Sequence, residues 1–240
     1  MTAAKGGFRG YFEGSRDLST SLVLVIPLFF FYQLGILLTG GLRNGVDFVT
    51  DLVMMVSRGS ILGYIAFNVA VLIGFLVALQ RLRKQGHMAP RLIPGMLLES
   101  AVYALFLGSA VIGLINALGI GGLLAAGGEG EMGFIAKLVM SAGAGLYEEV
   151  VFRLFLMGGI FLAATRLLGL HRFMAAVVAL IISSVIFSAV HHISEPFTMS
   201  AFVFRIFAGA LFGVLFQLRG LAIAAYTHAF YDVWVMVFRN

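Results

Sequence analysis

Residues 134–168 read FIAKLVMSAGAGLYEEVVFRLFLMGGIFLAATRLL, a stretch without proline that carries Glu148, Glu149 and Arg153 in its middle. A helix of that length runs roughly 52 Å at 1.5 Å per residue, against ~30 Å for the hydrocarbon core of a bilayer. The stretch is expected to be one long helix projecting past a membrane, or two helices broken near Gly158-Gly159. Apolar residues continue on both sides of the charged cluster, so snorkelling to the interface does not explain it. A charge at the centre of a membrane helix costs at least about 2.5–3.5 kcal/mol. Charges kept there are expected to pair or to work.

The rest of the chain agrees with a membrane setting. Of its 240 residues 61% are hydrophobic and 11% charged, with mean hydropathy +1.04. A soluble domain carries about 25% charged residues, so a cytosolic globular enzyme, a disordered chain and a collagen-like repeat are excluded. The apolar stretches are continuous rather than alternating, which selects helices over a transmembrane barrel. Without cysteine there is no disulfide, thiolate metal site or cysteine nucleophile. The net charge of +5 reflects basic residues flanking apolar spans. The expected partner is therefore a lipid bilayer and not nucleic acid.

The fold class read from this is an all-α polytopic membrane protein with about seven transmembrane helices, six to eight. Residues 1–240 form a single membrane domain with a cavity in its C-terminal four-helix core. Residues 1–20, where Phe8, Tyr11 and Phe12 alternate with Lys5, Arg9 and Arg16, form an interfacial lead-in. Residues 21–133 hold spans at 22–38, 61–79 and 94–118, an interfacial helix around Asp47 and Asp51, and an acidic glycine-rich loop with Glu129 and Glu131. The core, 134–238, adds spans at 173–192, 201–217 and 221–238, with a turn at Ser194-Glu195-Pro196. Basic residues favour the N-terminal side ten to five, so the N-terminus is expected to be cytoplasmic.

Lys137 and Arg205 lie near span ends and can snorkel, and Glu99 is expected to be interfacial or paired. Glu149 and Arg153 are i,i+4 and can form an ion pair, leaving Glu148 about 100° away around the helix without a local partner. A carboxyl so placed suits general acid–base chemistry; the alternative is a buried pair that only holds helices together. His191 and His192 close the span from Phe173, and His228 precedes Asp232 by four residues in the last span. If the chain turns at Gly169-Leu170, Glu148 and His191 each stand 21 residues from the turn, at equal depth. The same folding at Pro196 and Gly220 puts Asp232 about four residues and His228 about eight from that level, a gap that a common ~20° tilt narrows. A serine nucleophile loop, a His-Glu-x-x-His helix and a second membrane aspartate are all absent. Glutamate with histidine remains.

Three segments then resemble a known family, the CAAX prenyl protease and bacteriocin-processing (CPBP, or Abi) membrane endopeptidases. Its motifs EExxxR, FxxxH and HxxxN/D correspond to Glu148-Glu149-Val150-Val151-Phe152-Arg153, Phe187-Ser188-Ala189-Val190-His191 and His228-Ala229-Phe230-Tyr231-Asp232, in that order. The first 130 or so residues match only in being hydrophobic.

The resemblance implies an intramembrane endopeptidase acting on a membrane-associated peptide or protein. Glu148 and His191 would activate water, His228 and Asp232 would stabilise the oxyanion, and Glu149 and Arg153 would support them. Two positions depart from the pattern. Leu154 replaces a common glycine and is expected to narrow the groove; Asp232 replaces the commoner asparagine and can donate only if protonated.

The family has been described both as zinc-dependent and as metal-independent. No cofactor is expected to be required; zinc, if present, would use Glu148, His191, His228 and Asp232. A non-catalytic adaptor of the same fold and a proton-coupled transporter are the competing readings. The expected setting is a bacterial inner (cell) membrane; a cytoplasmic 166–172 turn puts the site ~31 Å away, toward the outer face, unless the 134–168 helix projects inward. Prenylated proteins, bacteriocin leaders, signal remnants and sorting tags are all open as substrates.

Overall fold

The structure, a computed structural model, describes residues 7–84, 89–120, 132–193 and 196–238. Lys5, Glu129, Glu131, Ser194 and Glu195 lie outside the described residues. Among those described, the fold is helical without strands.

Helix α1 is Phe8–Ser15, the core of the expected lead-in. Helix α2, Leu18–Leu38, starts where the Asp17 carboxylate accepts the Thr20 N–H at 3.1 Å, satisfying one of the amides a helix start leaves open. Two glycines with positive φ, Gly40 at 71° and Gly41 at 102°, turn the chain after it. Asp47 then caps the short helix α3, Phe48–Val56, through the Thr50 N–H at 3.0 Å. Helices α4 (Ile61–Lys84) and α5 (Ile93–Ala117) follow.

The long stretch is helical from Phe134 to Arg166 but not uniform. Helix α6, Phe134–Gly143, passes into a π-helical segment, Ala144–Met157, and returns to α geometry in α7, Gly158–Arg166. The expected break at Gly158-Gly159 is instead the point where i→i+5 bonding ends. Such π geometry concentrates at functional sites, and here it spans the whole Glu148–Arg153 motif. Helices α8 (Arg172–His191), α9 (Met199–Arg219) and α10 (Leu221–Phe238) complete the chain.

Six of the described helices are long and apolar enough to cross a membrane: α2, α4, α5, α8, α9 and α10. The run 134–166 is the seventh stretch, divided by its π segment. The chain is an integral membrane protein.

Helix α10 lies at the centre, against α5, α9, α2, α6 and the π segment, whereas α4 touches mainly α2 and α3. Half of the α10 span is buried in protein and only 6% of the α4 span. Small residues make that centre possible. Ala225 and Ala229 of α10 lie against Gly145, where a Cβ would come within 2.5 Å of the Ala225 carbonyl oxygen. Close backbone approach of this kind is how membrane helices gain packing energy in a solvent as apolar as themselves. It draws His228 onto the glutamate motif. The main apolar core joins Leu24, Tyr32 and Met96 to Val139, Phe187 and Ile223, so the N-terminal helices and the C-terminal core share one interior.

Candidate active site

The π segment presents Glu148 and Glu149 in different directions, and each finds a different environment. Glu149 is fully buried, with Oε2 3.2 Å from Arg153 Nε and Oε1 2.8 Å from His228 Nδ1. The Arg153 guanidinium also donates to the Gly209 carbonyl of α9 at 3.2 Å and lies 4.5 Å from the Phe187 ring centroid. The Glu149–Arg153 pair expected from spacing is therefore present, and it ties the π segment to α8, α9 and α10.

Glu148 has no cation of this kind. Its Oε2 is 3.6 Å from His191 Nε2 and 3.8 Å from His228 Nε2. The matched depths of Glu148 and His191 emerge as expected. His228 of α10 also reaches Glu148, so the gap expected from residue counting is closed. Asp232 stands behind, with Oδ2 3.7 Å from His228 Nε2.

Phe187 explains the FxxxH spacing physically. Its carbonyl oxygen is 2.8 Å from His191 Nδ1. A carbonyl only accepts, so Nδ1 carries the proton and Nε2 is the nitrogen turned toward Glu148. The Phe187 ring packs edge-on to His191 at 4.8 Å and also against Phe152 at 5.2 Å. Phe212 of α9 stacks flat on His228 at 4.2 Å.

Exposure is graded across the site. The His191 side chain is 21% exposed, against 6% for Glu148 and none for Glu149. His191 therefore reaches the protein surface while the supporting pair is sealed inside.

One contact has no counterpart among the sequence motifs. Asn44, in the α2–α3 linker, donates from Nδ2 to Glu148 Oε1 at 2.9 Å. A polar residue in a short loop between two spans is unremarkable in sequence, so nothing singles it out there. Asp47, beside it, accepts from the Tyr32 hydroxyl at 3.1 Å. Burial pushes the Asp47 carboxyl above its ordinary range, against the hydrogen bonds from Thr50 and Tyr32 that pull it down.

The remaining ionisable residues fall elsewhere. Glu99 is paired, in a bidentate contact with Arg219 at 2.6 and 2.8 Å. His192 packs against the rings of Phe197 and Phe202. Leu154 is exposed rather than packed among the site residues. Among the described residues no three His, Asp or Glu side chains are arranged to hold a metal ion.

Residues 131–234 match the family described as type II CAAX prenyl endopeptidase Rce1-like. This segment is an Rce1-like domain. It contains all three motifs and stops short of Asn44. No curated protein and no solved structure matches the chain. The Rce1-like match over this segment points to intramembrane protease activity, and the buried cluster of Glu148 and His228 is consistent with it.

Proposed function

We propose that this protein is an intramembrane endopeptidase that hydrolyses a peptide bond of a membrane-associated peptide or protein. The observation that carries the reading is a pair of acceptors facing each other. His191 Nε2 and the Glu148 carboxylate stand 3.6 Å apart, with the His191 tautomer set by the Phe187 carbonyl. Two acceptors at that spacing are bridged by a molecule with two protons to give, and water is that molecule.

In the proposed reaction Glu148, assisted by His191, takes a proton from water as its oxygen attacks the peptide carbonyl carbon. His228 gives its Nδ1 proton to Glu149, so Nε2 donates to the tetrahedral oxyanion only from the doubly protonated ring. Collapse breaks the C–N bond, and the proton held by Glu148 passes to the leaving amine. Asp232, as a carboxylate, serves by orienting His228. General base catalysis contributes about 10²–10⁴-fold and an oxyanion donor about 10²–10³-fold. The route uses protein groups alone.

The test is purified full-length protein in lipid nanodiscs, given prenylated CaaX peptides and unprenylated leader peptides, with and without a chelator. Wild type is expected to cut at least one class in chelator, and E148A and H191A to cut none. Intact cleavage by both variants would overturn the reading; loss with chelator alone would transfer the water to a metal.

The N-terminal helix and the site lie at opposite ends of α2, whose 21 residues span about 31 Å. With a cytoplasmic N-terminus the site opens toward the outer face, which suits a substrate processed after export. The chain has no cysteine and exposed Gly45 has open space for a side chain, so a single G45C substitution labelled by an impermeant maleimide from outside intact cells tests this; labelling only after lysis reverses the orientation.

A further inference from the structure

The carboxylate assigned as the base is held from outside the Rce1-like domain. We infer that Asn44 is a positioning residue for Glu148, an inference that rests on the protease reading above.

Which way the amide faces is fixed by its own turn. Asn44 Oδ1 accepts the Val46 N–H at 3.0 Å. A backbone N–H only donates, so that contact identifies the oxygen and leaves Nδ2 as the group turned to Glu148. The backbone of Asn44 is fixed as well. Its N–H donates to the Tyr32 hydroxyl at 2.8 Å, and that hydroxyl donates in turn to Asp47. The amide therefore reaches Glu148 from a turn braced at both ends and buried to 8% exposure.

The consequence falls on the two oxygens of Glu148. Asn44 engages Oε1, while Oε2 is the oxygen nearest His191 and His228. One donor on one oxygen prevents the carboxylate from rotating, and it presents the other to the water. Arg153 cannot do this, because it is committed to Glu149 and Gly209. Catalytic groups need such support to stay within a few tenths of an ångström of productive geometry.

The substitutions N44A and N44D separate this role from a structural one. Asp keeps the acceptor for Val46 and the shape of the turn, but puts an oxygen where Nδ2 donates. Ala loses both contacts. The full-length protein in nanodiscs is assayed on a peptide that wild type cleaves, with rates expressed per folded molecule. N44A is expected to lower kcat roughly 10–100-fold with KM within about twofold, the loss of one hydrogen bond to a charged group. N44D is expected to be the slower of the two, because it sets a second acceptor against Glu148. If N44D is faster than N44A, or if both keep the wild-type kcat, Asn44 serves only its turn and the inference fails while the protease reading stands. If wild type cleaves nothing, the protease reading fails and this inference with it.

Discussion

Two acidic sites stand at opposite ends of α2, and they are built differently. At the N-terminal end, Glu99 is saturated. Arg219 donates to both of its oxygens, Tyr11 donates to Oε2 at 2.6 Å, and Tyr103 donates to Oε1 at 2.8 Å. The Arg219 guanidinium in turn lies 3.9 Å from the Phe12 ring centroid. At the other end, Glu149 takes the arginine and Glu148 is left with an amide and two imidazoles. A carboxylate whose acceptors are all occupied by strong donors is a fastener. One kept among histidines, with one oxygen facing a partly exposed side chain, is equipped to exchange a proton. What separates the two is the partner set.

That contrast can be broken most sharply at Glu148. E148Q keeps the shape and is expected to reduce kcat about 10²–10⁴-fold, with thermal unfolding in detergent close to wild type. A matching fall in unfolding temperature would make Glu148 a fastener too.

R153M acts on its neighbour, leaving the Glu149 carboxylate buried beside His228 alone. It is expected to cost about 3–5 kcal/mol of stability, read as a lower unfolding temperature and lower yield. Activity lost without that destabilisation would place Arg153 in the chemistry.

R219M is expected to cost less, about 1–3 kcal/mol, because two tyrosines still donate to a partly exposed Glu99. Its kcat per folded molecule should equal that of wild type; a lower kcat would couple the two ends of α2.

The smallest effect is expected from Y103F, one donor of four and about 1 kcal/mol, seen as a modest shift in unfolding temperature without change in rate. Tyr11 belongs to the same cluster, its phenol pushed up to about 12 by burial and by the adjacent Glu99. It therefore remains a donor throughout the pH range of such assays.

The helices and most of the site are legible in the sequence because membrane physics is strict about length and charge. Apolar runs of bilayer length form helices close to their expected bounds. The cluster at 148–153 is conspicuous because ionised side chains are costly in hydrocarbon. The i,i+4 spacings of Glu149 with Arg153, Phe187 with His191 and His228 with Asp232 are local, and helix geometry alone brings such pairs onto one face. The π segment is not legible. It arises where the small residues around Gly145 let α10 press against the motif, a contact between segments some eighty residues apart.

What the sequence determined by itself was a membrane-spanning helical chain and the short-range chemistry of each motif, because hydrophobic length and helical period are properties of contiguous residues. What only the tertiary structure decided was which oxygen of Glu148 is held and which is free. That depends on Asn44, 104 residues away in the chain, and on an α10 close enough to turn His228 inward; contacts of that range are set by packing between helices, which leaves no mark at the spacing of any one of them.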